Sequence, residues 1–455
     1  MDKLVFFHKT PALWNKRKNL PQEGEEIKLT RLKKKLPNYV LDAEMIEFFS
    51  TDVYFQMCKE ICSRLNIKEF HVVHGYNDGE LRNWSVQEEQ GWSEIDENTT
   101  YWSFTEPKSL LSFMDSSIII TRGNYPVFHQ WLSDRSTPHS HRFWLHYPAT
   151  SLRYPHLDKF QKSLETLFDS DAESSKLERL LTGMLKEHEL ENVSDNLKDN
   201  YSHLIQHFRS RRESLIGGPY SVVLADDRIN VQPLSKAFPS AIVQTFVKPA
   251  LWTDSEINFV REYDAIYCGT SLQPTKNHQC FVQIVKHLDA IIGQKLKIVI
   301  AGNKAESKVF ESLMKYSFTN ISIINKGEVS RNELQALFSK SKSMIITSGR
   351  DANPRIIQES LAQGARVIAV DTLSDGFDFI SSNPLLGVVL KSEAREWKYS
   401  RNGNLLFEPS IHLANLMINE IEKSNFPDLV MKISRKKLSL ENSVDSLINT
   451  IKSFR

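Results

Sequence analysis

From about residue 261 to residue 376 the chain repeats one rhythm: a short, unbroken apolar run, a glycine or polar turn, then a stretch with apolar residues on one helical face. The apolar runs fall at 265–268, 296–301, 321–324, 343–347 and 366–370, and Gly302 and Gly327 close two of them. Runs without polar alternation are strands buried on both faces. Between them, 278–291 places Phe281, Ile284, Val285 and Leu288 at helical spacing, and 332–339 and 353–363 read as further helices. Strand and helix in strict alternation imply an α/β fold with a parallel sheet and helices on both of its faces.

The N-terminal half carries the same signal less regularly. Apolar runs at 4–7, 70–73, 117–121, 143–145, 220–225 and 241–246 read as strands, and several end in loop residues such as His74, Asn77, Arg122, Asn124, His146 and Tyr147. The stretch 157–214 is rich in Glu, Lys, Ser and Asp with Leu and Phe at helical spacing, which predicts a helical insertion. A final amphipathic helix is expected at 439–454. At 455 residues the chain exceeds one ordinary core. The division expected is an N-terminal domain over 1–250, a C-terminal domain over 251–430 and a closing segment over 431–455.

A formal net charge of +1 gives no bulk field to recruit nucleic acid. The densest basic run, Arg31-Leu32-Lys33-Lys34-Lys35, reads as a solvated face, with contact to anionic lipid as the alternative. Membrane association is expected to be peripheral, because no apolar run approaches the roughly 20 residues of a spanning helix, and the N-terminus offers too short a run for a signal peptide. The four cysteines, Cys58, Cys62, Cys268 and Cys280, make neither a disulfide framework nor a zinc site. They are expected as reduced thiols in a cytoplasmic protein.

The chemistry concentrates where the run at 343–347 ends. Asn353 is a good helix cap, Pro354 suits a first helical position, and Gly364 suits the far end. The helix so bounded opens at the carboxyl edge of the sheet, where its free N–H groups and dipole favour a phosphate. Asp351 in the loop and Glu359 in the helix flank this turn with seven residues between them. Carboxylates accept hydrogen bonds from paired sugar hydroxyls, so two of them can hold two sugars.

This segment resembles the acidic signature of the group 1, or family 4, glycosyltransferases: an acid, seven residues, Glu, then a small residue, Ala and Gly before a strand. A second likeness lies upstream, where Gly269 through Pro274-Thr275-Lys276-Asn277 is similar to the family's strand, Gly-Arg, and Pro-x-Lys-Gly or Pro-x-Lys-Asn. The chain departs twice, with Asp351 for the first Glu and Ser271 for the Arg. The likeness spans about 264–376. It implies the GT-B architecture: two facing Rossmann-like domains with parallel sheets and a C-terminal helix packing back toward the N-terminal domain. It further implies transfer of a sugar from a nucleotide-diphosphate donor to a glycan or lipid-linked acceptor, with retention, without a metal or other cofactor, in the cytoplasm at a membrane face.

By that resemblance Glu359 holds the ribose. Asp351, Ala352, Asn353, Pro354 and Arg355 contact the donor sugar and diphosphate. Gly269, Ser271 and Lys276 occupy the other wall, with Lys276 as the diphosphate clamp. In the N-terminal domain, His146 is the candidate for acceptor contact, since a His beside a cleft can share a proton with a sugar hydroxyl. His278 and His287 are expected on the surface of the helix at 278–291. The alternative to an enzyme is a non-catalytic GT-B subunit binding sugar, nucleotide or a partner protein. A nucleotide-sugar epimerase or a phosphorylase keeps the same fold, whereas a dinucleotide enzyme is disfavoured because no Gly-x-Gly-x-x-Gly follows any strand.

Overall fold

The computed structural model describes residues 3–8, 14–18, 33, 38–41, 43–74, 91–103, 117–122, 142–145, 220–225, 228, 231–239, 241–252, 261–269, 276–303, 305, 306, 308–348, 354–370, 377–391, 397–399, 405–407 and 409–453. The expected insertion at 157–214 lies outside them. The described residues up to 147, those from 220 to 249 and those from 439 onward form one compact unit, and those from 250 to 438 form a second. Among the described residues no helix is long and apolar enough to cross a membrane.

The first unit holds strands β1 (Lys3–His8), β2 (Trp14–Lys18) and β3 (Asn38–Leu41), helices α1 (Ala43–Thr51) and α2 (Val53–Leu65), then β4 (Glu69–His74), β5 (Gly91–Asp96), β6 (Thr99–Ser103), β7 (Ile118–Arg122) and β8 (Arg142–Leu145). After these come β9 (Val222–Ala225), α3 (Val231–Ala237) and β10 (Ile242–Thr245). The described strands form one sheet in the order β10-β9-β8-β7-β1-β4-β6-β5-β3-β2. Every pairing from β10 across to β6 is parallel. Beyond β6 the sheet becomes mixed, because β5 pairs antiparallel to β6 and β2 antiparallel to β3. The β5–β6 hairpin brings Trp92 and Trp102 to 6.3 Å between ring centroids. Trp102 Nε1 donates to His71 Nδ1 at 3.2 Å, which satisfies a buried indole N–H.

Period-two alternation turns Leu4, Phe6, Phe70, Val72, Ile118 and Ile120 to one face. There they meet Phe55, Cys58 and Ile61 of α2 and a helix from the far end of the chain carrying Val444, Leu447 and Ile451. Asp52 starts α2 by accepting the Phe55 N–H at 2.8 Å, and Asn66 ends it in the left-handed region at φ 53.

The second unit contains β11 (Tyr263–Cys268), α4 (His278–Ile291), β12 (Leu296–Ala301), α5 (Lys308–Met314), β13 (Ile321–Asn325), α6 (Arg331–Ser339), β14 (Ser341–Ile346), α7 (Arg355–Ala362) and β15 (Arg366–Val370). Then follow α8 (Asp378–Ser381), β16 (Gly387–Leu390), the small pair β17 (Trp397–Tyr399) and β18 (Leu405–Phe407), α9 (Ile411–Glu422) and α10 (Pro427–Leu438). Its main sheet runs β13-β12-β11-β14-β15-β16, all parallel. The buried strands carry apolar side chains on both faces, and two separate cores result, one against α4 and α9 and the other against α7 and α10.

Sequence order along this sheet reverses between β11 and β14. Such a switch point opens a crevice beyond the carboxyl ends of the strands, and ligands of open α/β sheets bind there.

The helix expected at 439–454 forms there, with a separate helix, α10, just before it. Ser439 separates α10 from α11 (Leu440–Ser453), and its Oγ accepts the Asn442 N–H at 3.1 Å as a cap. Helix α11 belongs to the first unit, where it packs on α2. Arg64 of α2 pairs with Asp445 and with Glu441 on α11.

Candidate functional site around the switch point of the second sheet

Both sequence signatures follow the two strands that flank the reversal. Beyond β11 the chain passes Gly269, whose N–H donates to Ala301 O at 2.8 Å. A Cβ on Gly269 would stand 3.0 Å from the Phe310 ring, so the glycine serves packing within the chain. Gly302 approaches from β12 with φ +129, and a Cβ there would fall 2.6 Å from Gly269 O. The carboxyl ends of β11 and β12 are thus drawn together by backbone contact that only glycine permits.

Lys276 is half-buried immediately ahead of α4. The next residue, Asn277, sits in the left-handed region at φ 51, ψ 47. That conformation is open to Gly and Asn and costly for most others, which gives the Pro-x-Lys-Gly or Pro-x-Lys-Asn alternative a physical basis. The Asn277 side chain is 4% exposed. The Asn277 backbone carbonyl accepts from Thr347 Oγ1 at 3.2 Å. Thr347 Oγ1 lies 3.0 Å from Tyr267 OH, which in turn lies 2.8 Å from His278 Nδ1. This chain ties β11, the residue after β14 and the first turn of α4 into one piece, and Lys276 stands at its rim. Tyr267 stacks on Phe281 at 3.7 Å, and its burial raises the phenol far above its ordinary range.

His278 is therefore buried rather than on the surface as its helical position suggested, because its ring meets Tyr267 and the Phe310 ring at 5.1 Å. His287, farther along α4, is half-buried.

Beyond β14, α7 begins differently from the sequence expectation. Pro354, with φ −60 and ψ 122, is the extended cap residue and Arg355 the first helical one. Its carbonyl accepts the Ile357 N–H at 3.0 Å. Pro354 is buried and Arg355 exposed. Asp351, Ala352 and Asn353 lie outside the described residues, as do Ser271, His146, Asn77, Asn124 and Tyr147. His74 and Arg122 are the final residues of β4 and β7.

Glu359 is 8% exposed, and Arg331 Nη2 donates to its Oε1 at 3.2 Å. The thiol of Cys268, the last residue of β11, lies in the field of both motif charges. Burial pushes it up to about 12, Glu359 adds to the rise and Lys276 opposes it. Of the candidate residues, the structure thus brings Gly269, Lys276, Pro354, Arg355 and Glu359 to the carboxyl edge at the switch point. Sequence reading missed Arg331, although Ser330-Arg331-Asn332-Glu333 carries the signature of a capping box.

An edge of this kind offers a helix N-terminus and a lysine to an anion, and a buried carboxylate to hydroxyl donors. Residues 254–393, most of the second unit, match the family model described as glycosyl transferases group 1. No curated protein sequence matches the chain. Among solved structures, one described as trehalose-6-phosphate from E. coli bound with UDP-2-fluoro glucose is similar with a TM-score of 0.52, at 9% identity over 99% of each chain. Sucrose-phosphate synthase from Thermosynechococcus elongatus is similar with a TM-score of 0.51, at 10% identity over 100% of this chain and 99% of its own. At such identities the likeness is one of fold. Residues 254–393 of the second unit are thus similar to the group 1 glycosyl transferases, and the chain has the GT-B fold of two Rossmann-like units.

Proposed function

We propose that this protein transfers a sugar from a nucleotide-diphosphate donor to a glycan or lipid-linked acceptor, with retention at the anomeric carbon and without a metal ion. One observation carries the reading: Lys276, the buried Glu359 carboxylate and the N-terminus of α7 share the carboxyl edge at the switch point, inside the segment that matches the family model. The E. coli neighbour was solved with UDP-2-fluoro glucose, a donor of the class proposed.

In this reading the acceptor oxygen bonds to the anomeric carbon as the bond from that carbon to the diphosphate oxygen breaks. The electron pair leaves with the diphosphate, which also takes the acceptor proton. Charge therefore builds on the leaving group, where the Lys276 ammonium and the N–H groups at Pro354–Arg355 meet it. Asn353 is proposed to contact the diphosphate beside them. Glu359 accepts the ribose hydroxyls, Asp351 holds the donor sugar, Gly269 and Ser271 line the opposite wall, and His146 meets the acceptor hydroxyl. The work is placed in the cytoplasm, at a membrane face reached by peripheral contact.

Ser271 favours a second reading. The family places an arginine there, so the diphosphate clamp is one cation short, and a subunit that binds nucleotide sugar without transferring it fits that loss. Incubating the full chain with UDP-, GDP- and ADP-sugars and measuring nucleoside diphosphate release, with and without EDTA, separates the two. The transferase reading expects release from at least one donor, unchanged by EDTA. Tight binding with no release from any donor would establish the binding subunit instead.

A further inference from the structure

Helices α6 and α7 lie side by side, both with their N-termini at the ligand edge, and two rungs join them. The lower rung is neutral: Gln363 Nε2 donates to Gln335 Oε1 at 3.4 Å, between buried side chains. The upper rung, one turn nearer the edge on each helix, is the Arg331–Glu359 pair at 3.2 Å. Arg331 Nη2 also lies 3.4 Å from Leu251 O, the carbonyl that Gln335 Nε2 reaches at 3.1 Å.

Helix stability does not account for Arg331. It is the first residue of α6, where a cation opposes the helix dipole. The start of the helix is already secured by a capping box, with Ser330 Oγ accepting the Glu333 N–H at 3.3 Å and Glu333 Oε2 accepting the Ser330 N–H at 2.8 Å. That box fixes the backbone from which Arg331 projects. What the arginine gains is the carboxylate of Glu359, a buried acceptor that it reaches from the neighbouring helix. A carboxylate is acceptor-only and can take two neighbouring hydroxyls at once when it is aimed at them. The guanidinium is a planar fork, so it fixes the direction of the carboxylate.

We propose that Arg331 is a positioning residue for the donor: it holds Glu359 aimed so that the carboxylate accepts the 2′- and 3′-hydroxyls of the nucleotide's ribose. The inference rests on the ribose role proposed for Glu359. It makes the intact diol, rather than the base or the phosphates, the feature that Arg331 serves.

Calorimetric titration of the full chain with uridine, guanosine and adenosine diphosphates and their 2′,3′-dideoxy forms tests it. For the nucleotide that binds, the parent protein is expected to prefer the ribose form roughly tenfold or more. Arg331→Met should raise the dissociation constant of the ribose form by most of that factor and leave the dideoxy form unchanged. Arg331→Lys, which keeps the charge without the fork, should fall between and serves as the readout if the methionine variant does not fold. An unchanged preference in either variant, or equal weakening of both nucleotide forms, would overturn the positioning role. Glu359→Gln separates the layers. It should abolish the preference, and if the parent shows none, or Glu359→Gln keeps it, the ribose role itself fails and takes the inference with it.

Discussion

The tasks proposed for Lys276 and Glu359 at one sheet edge are opposite, and their environments suit them. The lysine is half-buried immediately ahead of α4. The glutamate is buried between helices and paired. If Lys276 meets charge that develops as the diphosphate leaves, its removal costs more in the transition state than in the ground state. Lys276→Ala is expected to lower turnover by roughly a hundredfold or more, with a smaller change in donor affinity. Steady-state rates of nucleoside diphosphate release check this, and parent-like turnover would remove Lys276 from the clamp. Both residues were legible in the sequence, because each sits in a motif whose spacing follows a strand-turn-helix unit. Arg331 was not, because its partner lies 28 positions away on another helix and only packing brings them together. His278 was misjudged for the same reason: its periodicity gave a surface position, but the first turn of α4 abuts Tyr267 and Phe310.

Helix α7 depends on both of its ends. At the far end Ala365 N–H donates to Ser360 O at 3.0 Å and Gly364 N–H to Leu361 O at 3.0 Å, the paired bonds of a Schellman ending. Gly364 stands at φ +82, and a Cβ there would fall 2.7 Å from Pro427 O on α10 and 2.5 Å from Arg261 Nη2. Arg261 meanwhile donates to carbonyls at the ends of both α6 and α7, from Ser339 and Gln363. Gly364→Ala is therefore expected to destabilise the second unit by about 2 kcal/mol or more, read as a lower denaturant midpoint. A midpoint equal to that of the parent would mean that the turn relaxes freely. Strands β11 to β15 and helices α4, α6 and α7 of the second unit were legible because buried parallel strands are continuous apolar runs closed by glycine or polar turns, whereas α5, β16, α9 and α10 were not expected. In the first unit the β5–β6 hairpin was not. Its residues Ser93, Glu94 and Asp96 interrupt the apolar run, and its tryptophans find partners far along the chain, in His71 and Lys33, as well as in each other.

At the scale of the whole molecule, the chain builds its first unit, then its second, and returns to the first with α11. The return is fastened by burial: Val444, Leu447, Ile448 and Ile451 all enter the core beneath α2. Leu447→Ala in the full chain should cost about 2–5 kcal/mol, seen in the denaturant transition of the first unit. Nucleoside diphosphate affinity should stay unchanged, since the residues proposed to bind it belong to the second unit. A lost affinity would show that the donor site depends on the first unit's core. The return helix, with its start at Ser439, was legible as an amphipathic pattern at the end of the sequence, whereas the separate helix α10 just before it was not expected. The account as a whole requires that the second unit recognise a diphosphate. Calorimetric titration of the full chain with the common nucleoside diphosphates and their monophosphates measures this directly. At least one diphosphate is expected to bind roughly tenfold or more tighter than its monophosphate, whereas equal affinities, or no binding of any diphosphate, would contradict it.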